Sequence, residues 1–520
     1  MAFESELLPL LESRRPALLA LGEPTHLEPA FPRLRNEIFE FLVGQGFRSI
    51  AIESDRIAGL TANDYVNGDR DELPLATGFS HGLGHLTGNR ELITWMRAHN
   101  EQLAPADRLS FHGFDAPLEM TSAASPGTSL RHVRDYLGVS APDLDQLLGD
   151  ETRWTDQAAI MDAARSPGRS PEAVALRALA DDLKTMLYVH ASRLVRDTSA
   201  QSWHRAKVHA DAALGLLRYH AVAADPAPQD ERIRRLLGLR DALMAWNLLD
   251  IRESERDRGP TLVFSHNRHL QRHPSRWRLA GMDLEWSSAG AIVSSLLGSR
   301  YVFVAGSLGT GPTLGLAEPS PDSFEGSLSS GMVPPATAKG SERVTDEPRY
   351  FPLDPETLAQ CEALLHVAAG DDPAAEVAAR VLALPGVAQT RIEPESEMPP
   401  YTWGDRFFFA GEDRMRPFAT IVGHDIPGFD ERSHLNRRFA FRLNIEVGRA
   451  EFKNLFGYGP EGFAARIADI DFTEPDRLMP HPAYAVQGWA SVVNPGPATA
   501  DEVERLLSHA RTRSAARLAR

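Results

Sequence analysis

Short apolar runs alternate with helical patterns through the first part of the sequence, at 17–21, 49–52, 109–114, 261–264 and 301–305. Each run is too short for a helix and is bounded by glycine, proline or a polar turn, as buried strands are. Helical patterns at 27–43 and 89–102 separate them, and 171–258 is helical except at 225–228. This alternation predicts an α/β fold, with a central, mostly parallel sheet and a large helical cap or insertion at about 130–258.

The sequence changes character after residue 306. Residues up to 349 are rich in glycine, serine and proline, which predicts a loop over a cleft. A helix is predicted at 355–367, and 368–373 is the predicted domain boundary. The remainder, 374–520, has strand-like stretches at 418–422, 439–447 and 487–493 and an amphipathic helix at 500–519. It is predicted to be a separate, smaller α+β domain, which leaves 1–368 as the α/β domain.

Composition limits the partners of this chain. The 55 lysines and arginines against 71 aspartates and glutamates give a net charge of −16, which excludes a broad phosphate-binding surface and makes nucleic acid an unsuitable partner. The acidic amino terminus lacks an export signal, and no apolar run is long enough to span a bilayer. We therefore predict a cytoplasmic protein with no membrane partner; the sequence indicates no oligomeric state.

The single cysteine, Cys361, excludes an intrachain disulfide and a cysteine-rich zinc module. It lies in the apolar stretch 358–364, which we interpret as part of the helix predicted at 355–367. A buried thiol is therefore predicted, not a nucleophile.

Ionisable residues follow four of the predicted strands. The carboxyl ends of parallel strands meet at one edge of a sheet, where open α/β sheets bind their ligands. One polar strand end is unremarkable, but four together favour a catalytic pocket over solvated turns. The residues concerned are Glu23, His26, Glu53, Asp55, Arg56, His112, Asp115, His266 and His269.

Two helical patterns contain an arginine within the apolar stripe. Arg35 lies four residues from Phe31 and three from Ile38, and Arg240 falls with Asn247 in the seam of the helix around 233–251. A buried guanidinium without a carboxylate or carbonyl partner costs roughly several kcal/mol. Each arginine therefore either has such a partner or extends to the surface.

Other motifs are weaker. Residues 78–82 match the G-x-S-x-G elbow of serine hydrolases, but the polar stretch 71–77 before them cannot supply the buried strand that the elbow needs. His81 and His85 have the spacing of helical zinc ligands, but the glycines between them disfavour a helix. Nucleotide and nicotinamide binding motifs are not found.

Taken together, these segments resemble the erythromycin esterase family over about 1–368. The matching stretches, in the family's order, are 22–26 (Gly-Glu-Pro-Thr-His), Arg35, 49–53, 78–84, 89–100, 113–120, 240–247, 265–270 and 351–355. The resemblance implies a central sheet with a helical cap, in agreement with the alternation of segments. The carboxy-terminal part, through 417–422, 441–445 and 481–489, resembles an actinobacterial family of unknown function, which implies no chemistry.

Erythromycin esterases open a macrolide lactone with an activated water, so the resemblance implies a carboxylic ester hydrolase without a cofactor. It places the general base at His26, with Glu23, Arg35, His266 and His269 as further catalytic residues. A neutral imidazole can take a proton from water, and a carboxylate can fix its tautomer. The residues expected to bind the substrate, a small-molecule ester or lactone, are Glu53, Arg56, Asp115, Arg240 and Asn247.

Two alternatives remain open at this point. The same atoms of Glu23, His26, His266 and His269 could ligate zinc and make a zinc-dependent hydrolase. The chain could also be a non-catalytic or biosynthetic small-molecule binding protein, since resemblance to a family does not guarantee its activity.

Overall fold

The computed structural model describes residues 3–518 except 27, 120, 312–313, 371–372, 393–401, 403, 412–413, 427 and 437–439. Leu27, Phe439 and Ala519, at the ends of predicted elements, lie outside the described residues. The chain divides into two compact units, Met1–Gly370 and Asp371–Arg520.

A seven-stranded sheet forms the centre of the first unit. Its strand order is β3-β2-β4-β1-β7-β9-β8, and every neighbouring pair is parallel except β8 with β9. Two further strands, β5 and β6, form a separate antiparallel hairpin. The strands of this unit are β1 (Leu18–Glu23), β2 (Ser49–Asp55), β3 (Ser110–Asp115), β4 (Thr261–His266), β5 (Ser275–Leu279), β6 (Met282–Trp286), β7 (Tyr301–Thr310), β8 (Gly331–Val333) and β9 (Ala363–Ala369). The predicted α/β class, with a mostly parallel sheet, is confirmed.

The central strands are apolar because helices cover both faces of a parallel sheet; all six residues of β1 are buried. Eight helices, α5 to α12, lie between β3 and β4 in the chain, and six of them, α5 to α7 and α9 to α11, share a core made mainly of leucines and alanines. The helices of the first unit are α1 (Glu4–Arg14), α2 (Ala30–Gly44), α3 (Arg56–Asn67), α4 (Thr87–Asn100), α5 (Gly127–Leu137), α6 (Leu144–Leu148), α7 (Thr152–Thr155), α8 (Ala158–Met161), α9 (Pro171–Val189), α10 (Ala191–Asp197), α11 (Ala200–Ala223), α12 (Gln229–Ser254), α13 (Asn267–Leu270), α14 (Ala289–Leu297) and α15 (Pro355–Gln360).

The helix predicted at 355–367 is wrong in its second half. Helix α15 ends at Gln360, and the backbone of Cys361 is extended, with φ −84° and ψ 153°. The apolar residues that follow pair with β7 as strand β9, because a short apolar run buried in a sheet has the same composition as a buried helical turn. Cys361 is buried as predicted, at the junction of the helix and the strand.

The second unit is built on an antiparallel sheet in the order β10-β11-β12-β13-β15-β14. One face of this sheet packs its apolar residues against helices α16 and α18. The elements are α16 (Pro373–Leu382), β10 (Val387–Arg391), β11 (Arg406–Ala410), β12 (Ala419–Val422), β13 (Arg442–Glu446), α17 (Gly448–Phe456), β14 (Leu478–Pro480), β15 (Trp489–Val493) and α18 (Ala500–Leu518). Within the described part of the chain, no helix is long and apolar enough to cross a membrane.

Candidate active site

The carboxyl ends of four neighbouring strands bring ionisable side chains together. Glu23 ends β1, Glu53 lies near the end of β2, Asp115 ends β3 and His266 ends β4. Parallel pairing places Glu23 directly beside His266 in register. Since β4 lies between β1 and β2 in the sheet, Glu53 faces the same edge, as the sequence predicts.

Asn267 fixes the point where β4 leaves the sheet. Its side-chain amide donates to the carbonyl of Gly306 at 2.8 Å, and its amide oxygen accepts from the backbone N–H of Gly306 at 3.0 Å. This amide lies over Gly22, where a Cβ atom would stand 2.0 Å from the Asn267 oxygen. Because position 22 is glycine, the Asn267 side chain has room to replace a backbone pairing at Gly306. This side chain fixes the start of α13, which carries His269.

Glu23 and His26 form a short hydrogen bond. Glu23 Oε1 lies 2.6 Å from His26 Nδ1, and Glu23 Oε2 has no hydrogen-bond partner among the described residues. Burial raises the pKa of Glu23 even though His26 lowers it. Burial lowers the pKa of His26, but the charge of Glu53 and the hydrogen bonds to both carboxylates outweigh this effect and raise it to about 9. His26 is therefore an imidazolium at neutral pH in this arrangement.

Glu53 is the buried centre of the cluster. Its Oε2 accepts from the Ser265 hydroxyl at 2.6 Å and from the His266 backbone N–H at 3.1 Å, and lies 3.5 Å from His26 Nε2. Its Oε1 lies 3.2 Å from the Arg240 guanidinium and 3.4 Å from His269 Nε2. Burial alone would raise the pKa of Glu53, but His26 and His269 hold it well below its usual value, so the carboxylate stays charged.

His266 is held as a neutral imidazole. Its Nδ1 accepts a hydrogen bond from the backbone N–H of Arg268 at 3.1 Å, so the proton is on Nε2, which donates to the carbonyl of Pro24 at 3.1 Å. Burial and the charge of His26 keep its pKa well below the usual value. The ring meets that of His26 edge to face at 5.2 Å. His266 therefore positions the turn that carries His26, and neither of its nitrogens is available as a base.

His269 is oriented by Asp241, which is fully buried. His269 Nδ1 lies 2.9 Å from Asp241 Oδ1, and this carboxylate also accepts from the Trp286 indole at 2.7 Å and the Ala289 backbone N–H at 2.8 Å. Burial lowers the pKa of His269, but the charges of Asp241 and Glu53 outweigh it and raise the value. Sequence reasoning missed Asp241, although it directly follows Arg240 on α12.

Asp115 reaches the cluster through Arg240. The guanidinium donates to Asp115 at 2.6 Å and to Glu53 at 3.2 Å, so it has the carboxylate partners that a buried position requires. Asp115 also lies 3.1 Å from His81 Nε2, and His81 Nδ1 lies 3.1 Å from Glu119. Burial lowers the pKa of His81, but these carboxylates raise it to about 9. Sequence reasoning set His81 aside, so this contact was missed.

Three of the predicted site residues make their described contacts elsewhere. Arg35 is buried and donates to Asn89, the Gly88 carbonyl and Asn36. It stands over the ring of Phe264, and a carbonyl and amides are its hydrogen-bond partners. Its charge lowers the pKa of Glu23 from a longer distance.

Arg56 is the first residue of α3 and faces α12, which carries Asp250. Its guanidinium lies 3.2 Å from Asp250 and 3.1 Å from His112. Asn247 donates to the carbonyl of Phe114 at 3.0 Å and supports β3. Neither of these two side chains has a described contact with Glu53, although Asn247 also donates to the backbone carbonyl of Asp115 at 3.4 Å.

The G-x-S-x-G match and Asp55 have structural roles here. Ser80 of the G-x-S-x-G match accepts a hydrogen bond from the Asp55 backbone N–H at 2.8 Å, and turns, not a strand, precede it. Asp55 itself caps α3 by accepting from the Ile57 N–H at 2.7 Å. Within the described residues, no group of three or more histidines, cysteines, aspartates or glutamates is arranged to hold a metal ion.

Known proteins resemble the chain at the level of fold. A protein from Bacillus cereus of known crystal structure is 16% identical, with a TM-score of 0.53 over 70% of this chain and 91% of that one. A mutant of the erythromycin esterase EreC in its open conformation is also 16% identical, with a TM-score of 0.51 over 70% of this chain and 93% of that one. Among curated proteins, no match is found.

Two family models match the sequence. Residues 373–520 match a family of unknown function, DUF6194, and residues 43–383 match the model described as erythromycin esterase. Because the second match spans more than half of the 520 residues, the chain belongs to the erythromycin esterase family.

Proposed function

We propose that this chain hydrolyses carboxylic esters, with macrolide-type lactones as the model substrate, by means of a water molecule activated by His26. Membership of the family suggests an ester hydrolase, and EreC, which shares the fold, is named an erythromycin esterase. The observation that carries the proposal is the position of His26 between two buried carboxylates, 2.6 Å from Glu23 and 3.5 Å from Glu53.

The two nitrogens of His26 have different roles in this proposal. Nδ1 is committed to Glu23, which fixes the orientation of the ring and stabilises its cation. Nε2 makes only the longer contact with Glu53, so a water molecule can bind next to Nε2. Neutral His26 takes a proton from this water as the water oxygen attacks the ester carbonyl.

The remaining charges stabilise the products of this attack. The imidazolium of His26 returns its proton to the leaving alkoxide, so the reaction consumes one water and yields an acid and an alcohol. His269 is anchored by Asp241, and its Nε2 proton can turn from Glu53 toward the developing oxyanion. Arg240 balances the charges of Glu53 and Asp115 throughout.

The test is a hydrolysis screen of macrolides and small aryl esters, read by mass spectrometry as the gain of one water. His26→Ala is the inactive variant, and His99→Ala, a histidine on α4 that stacks on Trp95, is the matched control. Water gain that persists in His26→Ala would contradict the role of His26. A ligand that raises the melting temperature without gaining water would favour the binding-protein alternative.

A further inference from the structure

Among the described residues, the guanidinium of Arg268 has no hydrogen-bond or ion-pair partner. It is partly buried and stands over the ring of Phe351 at 4.7 Å. Only its backbone atoms form hydrogen bonds within the described part of the chain: its N–H donates to His266, and its carbonyl accepts from Ser275. No carboxylate lies within ion-pair distance of the side chain among those residues.

Two buried arginines of the first unit, Arg232 and Arg343, differ from Arg268. Arg232 donates to the carbonyls of Ile160, Met161 and Ala223. Arg343 donates to two carbonyls of β7 and to that of Ala317. Each of these side chains satisfies its donors inside the protein, as burial requires. Arg268 is less buried than these two side chains, and its donors have no partner among the described residues, so solvent or a ligand can reach them.

The position of Arg268 links it to the catalytic cluster. Arg268 lies between His266 and His269 in the chain, but its side chain has no described contact with the cluster around Glu53. The ring of Phe351 lies between the Arg268 side chain and His266, 4.9 Å from the His266 ring. The backbone N–H of Phe351 donates to Pro24, beside the turn of His26. A ligand that reaches from the reacting centre to Arg268 therefore passes the ring of Phe351.

Two carboxylates and one guanidinium act on Arg268 from a distance. Asp354 and Glu342 attract it from beyond ion-pair distance, and Arg276 repels it. Asp354 already accepts from the Thr357 N–H at the start of α15, and Glu342 is exposed to solvent. A guanidinium stacked on an aromatic ring with free donors is the arrangement that binds carboxylate or phosphate oxygens in proteins.

We propose that Arg268 binds an anionic group that the ester substrate carries at a distance from its reacting carbonyl. This inference rests on the proposed hydrolase function and makes Arg268 a determinant of specificity. It predicts that esters with a free acid group are preferred over neutral esters and over esters with a cationic amine at that position.

The experiment compares two aryl esters of equal length in the full-length protein. The mono-4-nitrophenyl ester of glutaric acid carries a carboxylate, and 4-nitrophenyl pentanoate is neutral. A charge-assisted hydrogen bond is expected to favour the anionic ester by roughly 10- to 100-fold in kcat/KM, mainly through KM. Arg268→Met should remove this preference and leave the neutral ester unaffected, whereas Arg268→Lys should keep part of it.

The matched control is Arg276→Met, an exposed arginine nearby that is paired with Glu285 and Glu356. The preference of Arg276→Met for the anionic ester should equal that of the wild type. Equal loss for both esters in Arg268→Met, or a wild type without preference, would overturn the inference. A missing wild-type preference does so even if the variants do not fold. If neither ester is hydrolysed, the proposed function fails, and calorimetric binding of glutarate to the wild type and to Arg268→Met still tests Arg268.

Discussion

Ester hydrolysis is expected to depend steeply on pH between 7 and 9, because the protein holds His26 as an imidazolium. Its pKa is raised to about 9, mainly by the charge of Glu53 and the hydrogen bond with Glu23, against the lowering effect of burial. Such a group is about 1% neutral at pH 7 and about half neutral at pH 9. If neutral His26 is the base, kcat/KM rises about 50-fold over this interval, whereas an ordinary histidine would give a rise of about 1.3-fold.

The assay is the initial rate of 4-nitrophenyl pentanoate hydrolysis at constant ionic strength. The enzyme-free rate is subtracted at each pH, and nitrophenol absorbance is corrected for its own ionisation. The quantity to compare is kcat/KM, because it reports the ionisation of the free enzyme, and this substrate does not titrate in the range. A profile that is flat from pH 7 to 9 would refute the reasoning.

Glu53→Gln tests the cause of the shift. Loss of this charge should lower the pKa of His26, so the rising part of the profile should move to lower pH. Glu119→Gln is the matched control, because Glu119 is a half-exposed carboxylate that contacts His81 and not His26. The pH profile of Glu119→Gln should coincide with that of the wild type. An unmoved profile in Glu53→Gln would show that the titrating group is not His26.

Four further predictions follow from the same contacts. His26→Ala should lower kcat/KM by about 10²- to 10⁴-fold with an unchanged circular dichroism spectrum, and near wild-type activity would exclude it as the base. Asp241→Ala should lower the free energy of unfolding in urea by about 3–5 kcal/mol, because it leaves His269 and Trp286 without their acceptor; a loss below about 1 kcal/mol would contradict this. Prolonged chelation should leave activity unchanged, whereas loss that zinc restores, with zinc found by elemental analysis, would favour the zinc alternative. Residues 1–370 expressed alone should remain soluble and fold cooperatively, and insoluble expression would count against the boundary.

Strand positions were predictable from the sequence where the pattern of apolar residues fits a strand and not a helix. The five apolar runs in the first part of the chain all become strands of the central sheet, within a few residues of their predicted bounds. Glycine or polar turns bound these runs, and long helical patterns separate them. Strand β9 was mistaken for helix because 355–367 contains a real helix start, with Asp354 accepting from Thr357, and nothing in the apolar composition marks where the helix ends.

The convergence of the site was predictable only in part. Parallel strands bring Glu23, Glu53 and His266 to one edge by topology alone, and this follows from strand order. The position of His81 depends on its own left-handed backbone, φ 56°, in a turn just before a single 3-10 turn at Leu83–His85. No periodicity describes such a residue, so its contact with Asp115 has no signal in the sequence.

Arg35 and Arg240 show where the limit lies. Both were found by the same signal, an arginine within an apolar stripe, and both are held inside the protein by polar partners. The pattern establishes that burial demands an acceptor, because an unpaired guanidinium is too costly. It does not distinguish a carbonyl from a carboxylate, since the partner comes from a segment distant in the chain. Arg240 therefore balances the charge of Glu53 within the cluster, whereas Arg35, with an equal signal, fixes α2 to the start of α4.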